Sequence, residues 1–424
     1  MEDQKEKVKE KLQHHEPVEI TVATVGSVDS GKSTTVGVLT DPIHALDNGK
    51  GLARSRLFNF PHEHISGNTS SVGHAYIKEH NNILNFVDLA GHEKYLKTTI
   101  YGVTTYFPDF GLVCVAEKLT NMTREHIRIL YTLHIPFMFL ITKIDSIPAH
   151  VIENNVDTLT KLATKFKSTV LEIKTMEDIN TYFSQTTHQQ QQTQQSTGTS
   201  KSLNAPITPM LRISNTTGLN HDLLRAMLHR VQKRKQHLYP GFVVDHVFKV
   251  QGHGTVVSGV NNVPVTPGMD MYIGPFGESG EFEAVRVRSL HNDYREEVKE
   301  LRTGVRGCLC IVFKNKKAAE LDLHGKLRSG MIVAPQPLPV HRRFKAEVMI
   351  FHHSTSIAPG YVAFMNCGSV KGPVKFIEVD GILRSGDRAT VLLEMTIPNY
   401  IEPKYPFFFR EGDTRGIGKI VECL

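Results

Sequence analysis

The most informative segment of the chain is Gly26-Ser27-Val28-Asp29-Ser30-Gly31-Lys32-Ser33. It matches the pattern GxxxxGK[ST], in which glycines allow backbone N–H groups to close around phosphate oxygens. The apolar run Ile20 to Val25 precedes it and a helical pattern begins at Lys32, so the segment lies between a buried strand and a helix N-terminus that attracts anions. We expect Lys32 to contact β- and γ-phosphate oxygens and the Ser33 hydroxyl to bind Mg²⁺.

A second motif, Asp88-Leu89-Ala90-Gly91-His92, follows the apolar run Ile83 to Val87. At the end of a strand, Asp88 can hold Mg²⁺ through water, and the Gly91 N–H can contact a γ-phosphate. The pair of motifs therefore predicts a nucleoside triphosphate site.

A third motif, Thr142-Lys143-Ile144-Asp145, indicates which base is bound. The Asp145 carboxylate can accept hydrogen bonds from both N1–H and the N2 amino group of guanine. Adenine offers neither donor, and the unpaired carboxylate would disfavour it by about 2–4 kcal/mol at a dry site. Ser214-Asn215, after the apolar run Leu211 to Ile213, would add a backbone N–H for guanine O6. The ordered set predicts a guanine nucleotide held by the following residues: Gly26, Ser27, Val28, Asp29, Ser30, Gly31, Lys32, Ser33, Thr34, Asp88, Gly91, Thr142, Lys143, Asp145, Ser214 and Asn215.

Around these motifs, the first half of the chain alternates short apolar runs with helical patterns. Besides the runs already named, Phe110 to Ala116 and Phe137 to Thr142 predict strands. Helices are predicted at Lys32 to Leu39, Glu93 to Tyr106, Thr123 to Leu133, Val151 to Tyr182 and Leu219 to Leu238. Because this alternation requires right-handed crossovers, the fold class is an α/β P-loop domain with a mostly parallel sheet.

After Tyr239 the pattern changes to short alternating runs with Gly/Pro turns, which favour antiparallel β-barrels. A Pro-rich stretch at 334–339 divides this part in two. We expect a charged N-terminal extension at 1–17, a GTP-binding domain at 18–239, and β-barrel domains II and III at 240–339 and 340–424. Residues 185–202 are rich in Gln, Ser and Thr and are predicted to form a flexible loop in the first domain.

Composition excludes several other classes of protein. Of 424 residues, 40% are hydrophobic and 22% charged, as in globular chains, which excludes global disorder. No apolar run is long enough to cross a bilayer, and the charged N-terminus is unlike a secretory signal. Five cysteines form no CxxC pair or credible disulfide framework, and the net charge is +6 without a basic tail. These features predict a reduced, cytoplasmic protein without a membrane partner.

With these motifs, the chain resembles the translational GTPases of the elongation-factor-Tu-like class over nearly its whole length. In that family a threonine 19 residues before the aspartate of the second motif contributes its hydroxyl to Mg²⁺ and its backbone to the γ-phosphate, and Thr69 has this spacing. His92 matches the residue that orients the attacking water, and Asp29 matches an acidic position in the phosphate loop. The resemblance implies GTP hydrolysis with His92, Lys32 and Thr69 as catalytic residues, GTP or GDP and Mg²⁺ as ligands, and Ser33, Thr69 and Asp88 around the metal.

Longer strings are similar to the GTP-binding protein 1/2 family. Examples are Leu46-Asp47-Asn48-Gly49-Lys50-Gly51 and Phe351-His352-His353-Ser354-Thr355-Ser356-Ile357. In the barrels, Gln251-Gly252-His253-Gly254-Thr255 looks like the second-domain signature of elongation factors, and Phe409-Arg410-Glu411-Gly412-Asp413 looks like the start of the third-domain closing hairpin.

Three positions depart from the elongation factors. Thr142 stands where they usually carry Asn; since a hydroxyl can still bridge to the phosphate loop, we expect somewhat weaker nucleotide binding. Asn68 replaces an apolar residue that gates water before Thr69, so that gating is not carried over. His291 stands roughly where a Glu contacts the aminoacyl ester, so that contact is not carried over either.

The resemblance implies a monomeric GTPase switch that acts on the ribosome and aminoacyl-tRNA or another RNA, or in RNA quality control. No arginine is identified from the sequence that could stabilise the transition state in cis, so slow intrinsic turnover is expected. One alternative is a GTP-dependent adaptor for a protein partner in RNA decay or peptide release, without tRNA delivery. Another alternative is the GTPase subunit of a sulfate-activating enzyme. That subunit has the same domain layout, but the sequence strings quoted above point to the GTP-binding protein 1/2 family instead.

Overall fold

The computed structural model describes residues 17–41, 43, 45–58, 60–66, 69–79, 82–195, 206–234, 240–251, 254–315, 317, 321–352, 356–379, 381–412 and 414–424. Apart from Pro17, the predicted N-terminal extension lies outside these residues, as does Asn68. The chain separates into two compact units. The first comprises Met1–Val103 and Pro108–Arg234, and the second Thr104–Phe107 and Lys235–Leu424.

The first unit is built on a seven-stranded sheet, which confirms the predicted α/β class. Its strands are β1 (Val18–Gly26), β2 (Gly73–Glu79), β3 (Asn82–Asp88), β4 (Phe110–Val115), β5 (Phe137–Ile141), β6 (Thr169–Glu172) and β7 (Ile207–Arg212). They lie in the order β2-β3-β1-β4-β5-β7-β6, and only β2 runs antiparallel to its neighbour. All six residues of β4 are buried, as expected for a central parallel strand covered on both faces. This order brings the carboxyl ends of β1, β3 and β4 to one edge.

Eight α-helices lie among the described residues of this region. They are α1 (Lys32–Leu39), α2 (Leu52–Ser55), α3 (Pro61–Ser66), α4 (Leu96–Thr105), α5 (Asn121–Thr132), α6 (Ala149–Lys165), α7 (Met176–Gln195) and α8 (His221–His229), with a 3₁₀ turn at Glu93–Tyr95 before α4. The helix α5 begins where the Thr120 side chain accepts a hydrogen bond from the Thr123 N–H, a typical N-cap.

The single helix predicted from Val151 to Tyr182 is wrong, because the chain forms α6, β6 and α7 there. The helix α6 ends just before Lys167, which adopts a left-handed conformation with φ of 56°. The next residues include β-branched Thr169 and Val170 and pair in parallel with β7 at the sheet edge. This tertiary pairing outweighs the local helical pattern.

The loop predicted at 185–202 is wrong for its first part, since α7 continues to Gln195. Glutamine is a good helix former, and neither Gly nor Pro interrupts the chain before Gly198. Residues 196–202 lie outside the described part of the chain.

The second unit contains two closed antiparallel barrels, which confirms that part of the predicted fold class. The first barrel consists of β8 (Phe242–Val250), β9 (Gly254–Asn261), β10 (Asp270–Phe276), β11 (Glu281–Asn292), β12 (Val305–Phe313) and β13 (Ile332–Ala334). The second consists of β14 (His341–His352), β15 (Val362–Cys367), β16 (Val370–Val379), β17 (Arg388–Asn399), β18 (Pro406–Glu411) and β19 (Thr414–Cys423).

The two barrels pack directly on each other. Val243, Ile332 and Ala334 of the first barrel belong to the same apolar cluster as the core of the second. Polar contacts join them as well: an Arg328 N–H donates to Asn399 Oδ1 at 2.8 Å, and Ser329 Oγ donates to the Ser369 carbonyl at 2.8 Å. The barrels therefore form one structural body.

A buried ion pair links β8 and β12, which flank β9 in the first barrel. Asp245 is 2% exposed, pairs with Arg306 and accepts a hydrogen bond from Ser258 Oγ at 2.6 Å. Burial alone would raise the pKa of Asp245, but the Arg306 charge and the hydrogen bonds outweigh it and hold the pKa well below its usual range. The carboxylate is therefore ionised throughout the neutral range.

We predict that Asp245→Asn lowers the free energy of unfolding by about 3 kcal/mol at pH 7, because the buried Arg306 guanidinium loses its nearer carboxylate and keeps only the partly exposed Asp293, at 3.7 Å, as a charged partner among the described residues. Since the pKa is depressed in the folded state, the contribution is complete above the unfolded value of about 4 and is lost as the pH falls towards the folded value. Denaturant unfolding of the full chain between pH 7 and pH 2 measures this. Asp270→Asn, which breaks exposed ion pairs with Arg286 and Lys314, is the control and should hardly change the midpoint. Equal effects of the two substitutions would contradict the prediction.

Candidate nucleotide-binding site

A solvent-open cleft lies at the carboxyl edge of the sheet in the first unit. It is lined by Val28, Asp29, Gly31, Lys32, Ser33, Thr34, Arg54, Thr69, Gly91 and His92. All of these except Arg54 were singled out from the sequence. The motif residues that line the cleft come from three separate segments: the phosphate loop after β1, the segment after α3, and the end of β3.

The loop from Gly26 to Gly31 turns sharply from β1 into α1. Asp29 and Gly31 both have positive φ, at 59° and 80°. A Cβ on Gly31 would lie 3.1 Å from Thr142 Oγ1, so glycine is needed here both for its conformation and for the close approach of Thr142. The helix α1 starts directly after Gly31 and directs its first N–H groups towards the loop.

Lys32 is buried within this loop, where its Nζ donates to the Ser27 carbonyl at 2.7 Å. Burial lowers the pKa of Lys32, and the nearby Asp88 carboxylate partly opposes that change. Gly91 lies against Lys32 and the loop backbone, since a Cβ there would be 2.5 Å from Lys32 Nζ and 2.6 Å from the Ser27 carbonyl carbon. Only glycine allows the second motif to approach the loop this closely, and this places Gly91 N–H and Lys32 on one phosphate-binding surface.

Three oxygens converge beside Lys32. Ser33 Oγ lies 2.5 Å from Asp88 Oδ2 and 2.9 Å from Thr69 Oγ1, and Thr69 Oγ1 lies 3.4 Å from the same Asp88 oxygen. Strand register explains the position of Asp88, because it lies opposite Thr24, whose Oγ1 donates to Asp88 Oδ1 at 2.9 Å. Burial raises the pKa of Asp88, with Lys32 opposing, and a divalent cation would stabilise the ionised form. An all-oxygen donor set of this kind fits Mg²⁺.

His92 is exposed at the mouth of the cleft and begins the 3₁₀ turn. Its Nδ1 accepts a hydrogen bond from the Lys94 N–H at 3.1 Å. A neutral ring in this arrangement carries its proton on Nε2, so Nε2 is a donor. The side chain is suited to orienting a water or a phosphate oxygen.

The third motif directly follows β5, and Ser214-Asn215 come just after the end of β7. Thr142 Oγ1 donates to the Ser30 carbonyl at 2.8 Å, which is the bridge to the phosphate loop expected of this hydroxyl. Asp145 accepts a hydrogen bond from Thr216 Oγ1 at 2.9 Å. Desolvation, the largest single effect, raises the pKa of Asp145, but the hydrogen bonds from Ser214 and Thr216, with smaller contributions from a backbone N–H and Lys143, together outweigh it and lower the pKa. Asp145 is therefore an ionised acceptor, as guanine recognition requires.

A buried network behind this motif was not foreseen from the sequence. Asn215 Nδ2 donates to Thr35 Oγ1 of α1 at 3.0 Å, and His221 Nε2 donates to Asn215 Oδ1 at 3.1 Å. The Asp47 N–H donates to the Asn215 carbonyl at 2.9 Å. Burial lowers the pKa of His221 to about 4, so the ring is neutral and can keep this donor role. The network ties the base-recognition loop to α1 and to the segment before α2.

We predict that Asn215→Ala accelerates GDP release about tenfold, because removing one or two buried hydrogen bonds costs about 1–2 kcal/mol. Stopped-flow dissociation of a fluorescent GDP analogue measures the rate. Asn154→Ala, at an exposed position on α6, is the matched control and should leave the rate unchanged. An unchanged rate for Asn215→Ala would contradict a role of the network in holding nucleotide.

His126 is a buried residue of the site that sequence patterns did not reveal. It lies on α5 and is 1% exposed, and its Nδ1 accepts a hydrogen bond from the Gly26 N–H at 3.2 Å. Burial, with a smaller contribution from the Lys32 charge, lowers the pKa of His126 to about 3. A neutral histidine thus fixes the start of the phosphate loop. Its position among apolar residues of an amphipathic helix gives no signal of this contact.

Known proteins share these features. The model of the elongation factor Tu GTP binding domain family matches residues 18–233. GTP-binding protein 1 of Xenopus laevis is 32% identical over an alignment of 444 positions, and the match covers 96% of this chain and 64% of that protein. GTP-binding protein 2 of Homo sapiens is 30% identical over an alignment of 443 positions, and the match covers 96% of this chain and 69% of that protein. The chain thus spans just under two thirds of the first of these relatives.

Solved structures show the same fold. Translation elongation factor SelB from Methanococcus maripaludis, in complex with the GTP analogue GppNHp, is 20% identical with a TM-score of 0.64. The match covers 96% of this chain and 80% of that one. In the described part of this chain, no helix has the length and hydrophobicity needed to span a membrane.

Proposed function

Since the chain belongs to the elongation factor Tu GTP-binding domain family and is a GTPase, we propose that it is a GTP-driven switch that acts on the ribosome and aminoacyl-tRNA, or in RNA quality control. We also propose that it works as a monomer in the cytoplasm, with Mg²⁺ as the metal. The observation that supports a switch is the position of Thr69, which reaches the site from a segment outside the phosphate loop.

The segment that carries Thr69 is fastened by one buried carboxylate. Glu63 accepts hydrogen bonds from the N–H groups of Ser70 and Ser71 at 2.7 and 3.0 Å and is 0% exposed. Thr69 therefore moves with Glu63 and α3 as one piece. Loss of the γ-phosphate would remove the group that connects this segment to Lys32 and Gly91. The segment would then lose its fixed position, which is the order–disorder transition used by GTPase switches.

In hydrolysis, each residue of the cleft has a role that follows from its position. Lys32, which donates to the Ser27 carbonyl, would transfer that hydrogen bond to β- and γ-phosphate oxygens. His92 Nε2–H would orient the attacking water, and the Thr69 backbone would hold a γ-oxygen. Ser33, Thr69 and Asp88 would hold Mg²⁺, which supplies positive charge next to the phosphates.

The ribosomal role is tested by co-sedimentation of the full chain with ribosomes and aminoacyl-tRNA. We expect the chain to pellet with ribosomes in a non-hydrolysable GTP analogue and to stay in the supernatant with GDP. No pelleting in either state would contradict the proposal.

One residue favours the alternative of a GTP-dependent adaptor that does not deliver tRNA. His291 lies on β11 paired with Cys308, where elongation factors place the Glu of the aminoacyl pocket. Filter binding with charged and uncharged tRNA separates the two functions. A preference for charged tRNA supports delivery, whereas equal retention of both supports the adaptor.

A further inference from the structure

Among the described residues that line the cleft, Arg54 is the one that no sequence motif indicated. It lies on the short helix α2, and it shares the cleft with Lys32, Thr69 and His92. Its side chain is about one third exposed, at 33%. A second positive charge therefore stands at the phosphate end of the site, beside the residues expected to contact the γ-phosphate.

The backbone that carries Arg54 is held rigidly. The Asp47 carboxylate accepts hydrogen bonds from Gly49 N–H at 2.9 Å and Ala53 N–H at 3.0 Å and so closes the turn into α2. Ala53 is 2% exposed and packs against Gly37 of α1, where a Cβ would lie 2.2 Å from the Ala53 carbonyl oxygen. Thus α2 is fixed to the helix that begins at Lys32.

The guanidinium itself is only loosely engaged. Its ion-pair partner in the described part of the chain is Asp29, at 4.0 Å, and that side chain is 70% exposed. A separation of 4.0 Å is too long for a hydrogen bond, and an exposed pair of this kind contributes at most about 1 kcal/mol. The N–H donors of Arg54 can therefore turn to a phosphate without losing a strong contact.

Building on the GTP hydrolysis described under the proposed function, we propose that Arg54 is a catalytic residue that stabilises the transition state of this reaction in cis. In this reaction water forms a bond to the γ-phosphorus and the bond to the β–γ bridging oxygen breaks. The bridging oxygen keeps the electron pair on GDP, and the proton of the water ends on inorganic phosphate. Arg54 neutralises charge that develops on the γ- and bridging oxygens, with Lys32 on the loop side.

A purely structural role would make Arg54 a partner of Asp29 and nothing more. The catalytic role and the structural role can be told apart, because only the catalytic role requires the guanidinium in the transition state of hydrolysis. A phosphate contact made in the transition state affects hydrolysis and the binding of transition-state analogues but leaves GDP affinity nearly unchanged. If Arg54 served only as the ion-pair partner of Asp29, then replacing Arg54 in a chain that lacks Asp29 would change neither hydrolysis nor the binding of transition-state analogues.

The test is single-turnover GTP hydrolysis by the full chain and its Arg54→Ala and Arg54→Lys variants, with GDP-plus-aluminium-fluoride binding as a second readout. We expect Arg54→Ala to lower the rate about 100- to 1,000-fold and to abolish aluminium fluoride binding, while GDP affinity stays within about threefold. Arg54→Lys should recover little, because an ammonium lacks the forked donors. Lys50→Ala, at an exposed position in the same segment, is the matched control and should match the unaltered chain.

A comparison in the Asp29→Ala background completes the experiment. There, Arg54→Ala should still slow hydrolysis by a similar factor, because the proposed contact is with phosphate. If the effect of Arg54→Ala disappears without Asp29, or if the Arg54→Ala chain hydrolyses GTP within threefold of the unaltered chain and still binds aluminium fluoride, the proposal is overturned.

Discussion

Asp145→Asn is expected to change the preferred nucleotide from GTP to xanthosine triphosphate. In the structure Asp145 is an ionised acceptor, steadied by Thr216 at 2.9 Å. It can accept from both N1–H and the N2 amino group of guanine. Asparagine can accept only through its oxygen, so its amide would face the guanine amino group donor to donor, whereas xanthine presents a carbonyl oxygen at that position. We expect GTP affinity to fall about 100-fold and xanthosine triphosphate affinity to rise by a similar factor.

Competition binding with GTP, xanthosine triphosphate and ATP measures this exchange. Asp157→Asn, on α6 away from the site, is the control and should retain the preference for GTP. The essential result is the gain with xanthosine triphosphate, since loss of GTP binding alone could follow from damage to the fold. If neither affinity changes, Asp145 does not contact the base.

His92→Ala is expected to lower the rate of single-turnover GTP hydrolysis about 100- to 1,000-fold. The Nδ1 atom of His92 accepts a hydrogen bond from the Lys94 N–H, at 3.1 Å, so a neutral ring carries its proton on Nε2 and offers it as a donor. This geometry favours orientation of water over removal of its proton. The hydrolysis rate should be measured both without and with ribosomes, because any stimulation by ribosomes would act through the same water.

The affinity for a fluorescent GTP analogue separates catalysis from binding. It should change less than about threefold in His92→Ala, because the interaction is realised mainly in the transition state. His150→Ala, an exposed histidine outside the cleft, is the matched control. Equal hydrolysis rates of the His92→Ala and unaltered chains, both alone and with ribosomes, would remove His92 from this role.

Much of the site could be predicted because its chemistry is local. The phosphate loop needs glycine at positions of positive φ and a lysine at the start of a helix, and these requirements appear as a short pattern. Gly91 and Asp88 could be paired with the loop because the ends of neighbouring parallel strands meet. Thr69 was found by resemblance to a family, and the structure places its hydroxyl 2.9 Å from Ser33.

What the sequence did not reveal are contacts between distant segments. His126, which was missed, reaches Gly26 from α5, 100 positions away, and Asn215, which was predicted to bind nucleotide, reaches Thr35 across 180 positions. Arg54 lies in an irregular stretch where no periodic pattern indicates a side-chain direction. The single helix expected from Val151 to Tyr182 was wrong for a related reason, since β6 exists only because β7 is available to pair with it.

The most direct test of the switch is calorimetric titration of the full chain with GTP, GDP and ATP, with Mg²⁺ present and after its chelation. We predict heats of binding with GTP and GDP and none with ATP. Chelation of Mg²⁺ should weaken the binding of GTP more than the binding of GDP, because Thr69 and the metal act together on the γ-phosphate. If neither GTP nor GDP produces heat in the presence of Mg²⁺, the guanine-nucleotide switch described above is contradicted.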